Sequence, residues 1–501
     1  MECESVMLFQ VFLRFLTLLV RFRWVFCQLD ALQHCFPPNL RQYIDELPET
    51  LDETYDRILK GISKAQKNNA HRLLQCLTVA VRPLLVEELA ELLAFDFQAS
   101  TAGGLPTLKE DWRWDDQEEA ILSTCSTLIS IIPRDNSLVV QFSHFSVKEY
   151  LTSSRLAHSP NGEVSRFRID LEPAHTIMAQ ACLATLLQLD EHTGESHVKL
   201  SPLAKYAAQY WVDHAQFEKV SSRVREGMDD LFDGSKPHFA AWLRVHDIDE
   251  DWESFSSISQ DGIGSPLYYA AFCGFYDVAE RLIMKHPDQV NARGGRVVAP
   301  LPAALSKRHF RVANLLYSHG AVVDVRDDST CTPLFITSCH GHPGQVDIMR
   351  WLLDHGADAN ARAIEHYTPL YFATYGTHLE AVQLLIEHNA DINSQIDDGE
   401  TPLYGVFSRP PDDELEGKVA DIVRLLLEHG ADPNIPRNDK STPLHEASSR
   451  GLLEAARLLL SYGAKVDEKD DDGRTPFQLA ASGGYDEITK LLLEHGAVPQ
   501  Q

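Results

Sequence analysis

A short motif that recurs along the second half of the chain constrains its fold more than any other feature. Tripeptides of the type TPL, with the variants SPL, APL and TPF, follow one another at intervals of 34, 33, 36, 33, 41 and 33 residues. They begin at Ser265, Ala299, Thr332, Thr368, Thr401, Thr442 and Thr475. A unit of this length cannot bury its own apolar face, so the seven copies must stack on one another.

Each copy of the repeat encodes two helices and a hairpin. Thr caps the first helix, Pro occupies its first turn, and a leucine-rich second helix ends in sequences such as WLLDHGADAN, which finishes at Asn360. This period and motif are typical of ankyrin repeats, so we predict a seven-unit solenoid over residues 262–501. Arg308 replaces the usual glycine of the second unit and predicts a distortion there. The insertion Ser408–Lys418 predicts a protruding loop in the fifth unit.

The first half of the chain contains a different series of helices. In LPETLDETYDRILKGI, Thr50 and Glu53 form a predicted capping box, so we expect a helix from Leu51. Further on, the sequence predicts two helices, then a third helix that runs into a two-stranded wing over ILSTCSTLISIIP and SLVVQFSHF, and a closing helix SVKEYLTSSRL. This order is a winged-helix pattern. Four amphipathic stretches from about Ala174 predict a helical bundle. The predicted fold class is therefore mainly α, with winged-helix and bundle regions before the solenoid.

These patterns divide the chain into five predicted regions. They are an apolar segment of undecided role at 1–26, connector helices at 27–66, a winged helix at 67–157, a helical bundle at 158–261 and the ankyrin units at 262–501.

The apolar run Val6–Val20 raises the question of a membrane anchor. A spanning helix needs about 20 apolar residues, whereas this run is shorter and is interrupted by Gln10 and Arg14. We favour a buried helix, or an N-terminus without its natural context, over a membrane anchor, and a membrane-tethered scaffold stays open as an alternative.

Composition and missing motifs argue against several functions. The net charge of −28 disfavours nucleic acid, and the stretch VEELAELLAF, taken as the recognition helix of the winged helix, has glutamates but no Arg or Lys. Nine scattered cysteines without C-x-x-C suit reduced thiols in the cytoplasm. The sequence has no G-x-x-x-x-G-K-[ST], no H-E-x-x-H and no G-x-S-x-G, so we predict no nucleotide, no metal, no cofactor and no enzymatic activity.

Five blocks in order carry a resemblance to a known family. FRWVFCQLDAL, LPETLDETYDRIL, RPLLVEELAELLAFDF, FSHFSVKEYL and LAKYAAQYWVDHA, followed by ankyrin units, resemble the C-terminal part of fungal NACHT-ankyrin proteins, which are signal-transducing NTPases. The winged helix is similar to the type named after GPI inositol-deacylase, without implying deacylase activity. The resemblance implies the sensor and regulatory half of such a receptor, without its nucleotide-binding core. The alternative is a truncated form of a NACHT NTPase whose P-loop lies upstream.

The repeat register predicts where a protein partner binds. The residue two places after T-P-L should face the concave groove, which singles out Tyr269, Ile336, Phe372 and Glu446. Acids at the hairpin tips surround these positions, namely Asp327, Asp328, Asp397 and Asp398. We therefore predict a partner with hydrophobic anchors and basic flanks. The alternative is that these side chains only pack on neighbouring helices.

Overall fold

The computed structural model describes residues 50–98, 104–157, 162–190, 201–249, 263–408 and 416–499. The chain divides into two compact units, 1–251 and 252–501. The apolar run Val6–Val20 and most of the insertion in the fifth repeat lie outside the described residues.

The first described helix begins at the predicted capping box. The backbone N–H of Glu53 donates to Thr50 Oγ1 at 3.2 Å, and Glu53 Oε2 accepts from the N–H of Thr50 at 3.3 Å. The helix runs over Leu51–Gly61 and buries Tyr55 and Leu59. The sequence prediction of this helix start is confirmed.

A winged helix follows this first helix. Its elements are helices Lys67–Val79, Val86–Leu93, Gln117–Cys125 and Phe145–Thr152 and strands Leu84–Leu85, Ile129–Arg134 and Ser137–Phe142. The strands form an antiparallel sheet in which Ser137–Phe142 lies in the middle. The wing turns at Asp135 and Asn136, whose φ angles of 46° and 65° suit the tight hairpin turns that match strand twist. A short second sheet pairs Phe95–Asp96 with Thr107–Leu108.

The remaining helices of the first unit lie in the region predicted as a helical bundle, except the first of them, which ends the region predicted as the winged helix. They are Ser154–Ala157, Gly162–Ser165, Leu171–Leu186, Ala204–Gln216, Val220–Arg223, Arg225–Leu231 and His238–Val245. Trp211 and Trp242 are fully buried, with their ring centroids 5.3 Å apart. The indole N–H of Trp242 donates to the carbonyl of Ala208 at 3.0 Å, so this ring is buried without leaving its donor unpaired.

The second unit consists of seven helix pairs in the described residues. Their first helices are Pro266–Phe272, Pro300–Ser306, Pro333–Ser338, Pro369–Tyr375, Pro402–Gly405, Pro443–Arg450 and Pro476–Gly483. Their second helices are Tyr276–Lys285, Phe310–Ser318, Pro343–Asp354, Leu379–Glu387, Glu416–Glu428, Leu453–Ser461 and Asp486–Glu494. Threonine caps act as predicted, for example Thr368 Oγ1, which accepts from the N–H of Tyr371 at 3.2 Å. The predicted fold class, mainly helical with an ankyrin solenoid, is confirmed.

Arg308 does not distort the second ankyrin unit, which begins at Ala299. Its φ of 61° is the left-handed conformation that Gly274 and Gly451 adopt at the same place in other units, at 74° and 78°. Both helices of the second unit are present, so the chain accepts a conformation that costs a non-glycine residue roughly 1–2 kcal/mol. The expected distortion was wrong because the turn keeps its geometry despite the unfavourable residue. The Arg308 guanidinium forms an ion pair with Asp347 of the third unit.

Candidate protein-binding surface

The third and fourth ankyrin units carry a cluster of aromatic rings. Phe372 lies at its centre, with ring centroids 5.0 Å from Phe335, 5.0 Å from Tyr367 and 6.1 Å from Tyr375. Phe335 is buried, Phe372 and Tyr367 are half-buried, and Tyr375 is 38% exposed. We call these four residues the aromatic patch. Its exposed edge offers large apolar area at low conformational-entropy cost, which is typical of binding anchors.

A buried hydrogen bond fixes the floor beneath the aromatic patch. The Tyr371 hydroxyl donates to Glu400 Oε2 at 2.5 Å, and the Ser408 hydroxyl donates to the same oxygen at 3.1 Å. Burial, followed by this bond to Glu400, raises the pKa of Tyr371 above its ordinary value. Arg437 lies 3.5 Å from the other Glu400 oxygen. The carboxylate thereby ties the fourth unit to the fifth and sixth and holds Tyr371 beside Phe372, 5.9 Å between centroids.

The hairpin tip next to the aromatic patch exposes an aliphatic side chain. Ile364 is 56% exposed, and the two residues that follow it, Glu365 and His366, both have left-handed backbones with φ of 58° and 61°. Such conformations cost non-glycine residues about 1–3 kcal/mol each and concentrate at functional sites. Ile364 stands four residues before Thr368, where the next unit has Asp397. A comparison of the units in register would have revealed this exposed hydrophobic residue.

The predicted acids lie at the hairpin tips and also support them. Asp397 Oδ1 lies 2.5 Å from His366 Nδ1, and the backbone N–H of Asp397 donates to the carbonyl of Glu365 at 3.1 Å. The Asp398 side chain is exposed, and the backbone carbonyl of Asp398 accepts from the backbone N–H of Asn438 at 3.0 Å. The acids therefore sit on rigid, stacked hairpins near the aromatic patch.

Further along the edge, Asp327 accepts from the N–H groups of Ser329 and Cys331 at 2.9 and 2.8 Å. Asp328 lies 3.3 Å from Arg293.

Two of the predicted binding residues are packed or bonded within the chain. Tyr269 is only 2% exposed, with its ring edge-on to Tyr268 at 5.0 Å, so it is a core residue. Glu446 is half-buried and is already bound within the chain, since it accepts from the Tyr404 hydroxyl at 3.2 Å and pairs with Arg450 at 3.0 Å. The prediction was wrong for Tyr269 because neighbouring side chains, which differ between units, decide exposure, whereas Glu446 stays a prediction. Ile336 and Phe372 are half-buried and stay candidates.

A pocket of about 60 Å³ opens between the second and third ankyrin units. Aliphatic groups dominate its lining, with Ile336 among them; the others are Val297, Val298, Pro302, Leu305, Val325, Pro333 and Ile348. The first helices of the first and second units pack closely, whereas those of the second and third meet at few positions. Long side chains bridge the second helices instead, as where the Trp351 indole N–H donates to Asn314 Oδ1 at 2.8 Å. The pocket lies in this looser junction.

One wall of the pocket has a strained backbone. Val298 is buried and has a φ of 73°, which is a clear outlier for a β-branched residue. The turn that holds it there contains Gly294 and Gly295, and a Cβ on Gly295 would lie 2.3 Å from the Tyr268 ring. The N–H of Val297 donates to the Tyr268 hydroxyl at 3.3 Å. The close approach of this ring requires glycine and fixes the strained turn.

The winged helix carries acidic side chains where a DNA-binding winged helix would carry Lys and Arg. The helix that directly precedes the wing is Gln117–Cys125, not the stretch VEELAELLAF, so our choice of recognition helix was wrong. Glu118 and Glu119 lie in its first turn. In the other helix, Glu88 and Glu91 are buried in ion pairs with arginines, at 2.5 and 2.6 Å. Neither helix offers the cations that phosphate binding needs.

A histidine cluster lies inside the helical bundle. His214 is 0% exposed, its Nδ1 lies 3.0 Å from His175 Nδ1, and its Nε2 lies 3.0 Å from the Tyr206 hydroxyl. That hydroxyl accepts from the N–H of Val81 at 3.2 Å, so its proton can go to His214 Nε2. Burial, with a smaller contribution from His175, lowers the pKa of His214 to about 3. The ring is therefore neutral and serves a structural network.

Cysteine and metal chemistry find no support among the residues that the structure describes. Burial raises the pKa of Cys76, Cys125 and Cys339 to about 12, which keeps these thiols protonated and unreactive. No group of three or more His, Cys, Asp or Glu side chains is arranged to hold a metal ion in the described ranges. Among the described helices, none combines the length and apolarity needed to cross a membrane.

Comparison with protein families identifies two parts of the chain. The family described as ankyrin repeats (3 copies) matches residues 267–363, 301–396 and 415–501. The winged helix domain of GPI inositol-deacylase matches residues 55–163. The chain therefore contains ankyrin repeats and a winged helix domain of this type.

Individual proteins are similar to parts of this chain. The azaphilone pigments biosynthesis cluster protein L of Monascus ruber is 32% identical over 303 residues, which are 57% of this chain and 62% of that protein. Alpha-latrocrustotoxin-Lt1a of Latrodectus tredecimguttatus is 36% identical over 69 residues, 14% of this chain and 5% of the toxin. The crystal structure of the ankyrin repeat domain of Bcl-3 is similar at 29% identity with a TM-score of 0.40, over 46% of this chain and 98% of that domain. The matched part of the chain thus spans less than two thirds of the length of each of these two curated relatives.

Proposed function

We propose that this chain is a non-enzymatic protein-interaction module that binds a partner through the aromatic patch and its acidic hairpin edge. The observation that carries the proposal is the combination at the third and fourth units of half-exposed aromatic rings with Ile364 exposed on a strained hairpin tip. Apolar anchors surrounded by polar residues are the usual composition of a binding hot spot. A single exposed aliphatic side chain is ordinary, so the support comes from Ile364 lying on the hairpin next to these rings, since grouped apolar side chains rimmed by polar ones mark interaction sites.

The charge of this edge indicates the chemistry of the partner. Glu365, Asp397 and Asp398 are exposed beside the aromatic patch. The chain as a whole carries a net charge of −28, which speeds association with basic surfaces and repels nucleic acid. We therefore propose a partner with hydrophobic anchors and basic flanks, and no role for nucleic acid, nucleotide or cofactor.

We further propose that the chain is the sensor and regulatory half of a NACHT-type receptor and acts in the cytoplasm. The order of a GPI inositol-deacylase-type winged helix, a helical bundle and ankyrin repeats supports this proposal. The alternative is that the chain is part of a NACHT NTPase whose P-loop is encoded upstream. An in-frame P-loop sequence further upstream in the transcript would establish this alternative.

Affinity capture tests the interaction surface. Wild-type protein and the double variant Phe372→Ala/Tyr375→Ala are compared for the proteins they retain from a lysate of the source organism. The control is Tyr317→Ala/Tyr462→Ala, because these two tyrosines are 42% and 45% exposed in and after second helices. Retention of a partner by the wild type and the control, with loss in the patch variant, is the expected result. Equal retention by all three proteins would refute the assignment of the surface.

A further inference from the structure

We propose that the pocket between the second and third ankyrin units binds one branched aliphatic side chain from an extended segment of the partner, and that a Lys or Arg a few residues away in that segment binds the acidic hairpin tips. This inference rests on the proposed function, because Ile336 lines the pocket and directly follows Phe335 of the aromatic patch in the chain. It adds the chemical class of the residue that the partner must present.

The size of the pocket selects an aliphatic group. A cavity that holds a benzene molecule measures about 150 Å³, and the pocket measures about 60 Å³. A space of this size suits the branched end of Leu, Ile or Val better than a whole aromatic ring. The aliphatic lining makes transfer of such a group from water favourable.

Most polar groups in the lining are already bonded to the chain's own backbone. The hydroxyls of Ser306 and Thr337 donate to the carbonyls of Ala303 and Pro333 at 2.8 and 2.9 Å. His340 Nδ1 lies 2.9 Å from the carbonyl of Ile336. These groups need no partner from a ligand, so they do not oppose an apolar side chain.

Gln345 is the exception among the polar residues of the lining. Its Oε1 is buried and has no hydrogen-bond partner among the described residues, a situation that proteins rarely leave uncompensated. A main-chain N–H of a partner segment can supply the missing donor. This acceptor favours a peptide over a purely apolar small molecule.

The charges on the two sides of the pocket give the segment its second requirement. Two charged residues line the pocket, Arg296 on the hairpin before the second unit and Asp327 on the hairpin before the third. The exposed acids Glu365, Asp397 and Asp398 lie on the hairpins that follow. Arg326 lies between them, but its guanidinium donates to the carbonyls of Thr330 and Arg362 at 2.7 and 2.8 Å. A basic residue of the segment should therefore point toward the fourth and fifth units.

Selection from a random peptide library tests the inference even while the partner is unidentified. Phage that display random 12-residue peptides are selected on the immobilised full chain, and enriched peptides are synthesised. We expect a shared Leu, Ile or Val with a nearby Lys or Arg. Affinities are then measured for wild type, for Ser306→Leu, which fills the pocket, and for Ser482→Leu, which makes the same change at the equivalent, exposed position of the seventh unit.

The expected result is binding about tenfold or more weaker for Ser306→Leu, since loss of one well-seated aliphatic group has an effect of this order, with no change for Ser482→Leu. Thermal unfolding checks that both variants fold. A second variant, Ile348→Val, enlarges the pocket and should shift the preferred anchor from Val toward Leu or Ile. Peptides that bind and need Phe372 but ignore both pocket variants would overturn the pocket while leaving the proposed function intact. Absence of any enriched peptide would count against both.

Discussion

The buried histidine of the helical bundle leads to a quantitative prediction about pH. His214 has no exposed surface, and burial lowers its pKa to about 3. In the unfolded chain its pKa returns to about 6.5. As the pH falls below 6.5, the unfolded state takes up a proton that the folded state does not, so the free energy of unfolding decreases. The loss continues until the pH reaches the folded-state value.

The size of the effect follows from the difference between the two pKa values. Between pH 7.5 and pH 5.0 the unfolded ring becomes almost fully protonated while the folded ring stays neutral. At about 1.36 kcal/mol per unit below 6.5, the bundle loses about 2 kcal/mol from this one residue. In His214→Gln the contribution disappears, so the stability of the variant should depend less on pH by that amount.

Hydrogen exchange measured by mass spectrometry can localise this difference to the helix Ala204–Gln216. After correction for intrinsic exchange rates, protection of this helix should fall about 30-fold more in the wild type than in His214→Gln between pH 7.5 and 5.0, which is the equivalent of about 2 kcal/mol. The ankyrin helix Leu453–Ser461 provides an internal control and should respond equally in both proteins. Equal losses of protection in Ala204–Gln216 would refute the reasoning.

Three further predictions concern other parts of the molecule. Tyr371→Phe leaves the buried Glu400 carboxylate without its 2.5 Å donor. The free energy of unfolding of the solenoid should fall by about 1.5–3 kcal/mol. Tyr375→Phe is the control, and equal urea midpoints for the two variants would contradict this explanation. Arg82→Ala leaves Glu88, whose side chain is 2% exposed, buried without its cation and should cost about 3–5 kcal/mol, part of which Glu88→Gln restores; a thermal midpoint at the wild-type value would disprove this. Calorimetry should detect no saturable binding of ATP or GTP at micromolar concentrations, since the sequence offers no phosphate-cradling loop, and a measurable isotherm would sink that expectation.

The repeat architecture could be predicted because its determinants are local. A threonine cap, a proline in the first turn and a leucine-rich second helix act within one unit, so the sequence alone specifies each helix pair. The capping box at Thr50 and Glu53 is local in the same way. Ile364 was also within reach, since an aliphatic residue at a position where another unit has Asp397 is visible once the units are placed in register.

The exposure of the site residues could not be predicted in the same way. Tyr269 and Phe372 occupy the same place in their units, yet the first is core and the second is half-buried, because the surrounding rings differ. The pocket depends on the spacing between the second and third units and on the strained turn at Val298. Both are properties of tertiary packing, which no single repeat encodes.

The central claim is that the aromatic patch binds and does not merely stabilise, and the most direct test measures affinity and melting on the same variants. Calorimetry with the captured partner, or with the selected peptide, compares wild type with the patch variant Phe372→Ala/Tyr375→Ala and with the core control Tyr269→Ala. We predict that the patch variant loses more than about 1 kcal/mol of binding free energy with a modest change in melting. Tyr269→Ala should instead lose about 2–5 kcal/mol of folding stability. A patch variant that melts as early as Tyr269→Ala, or that binds as tightly as the wild type, would contradict the claim.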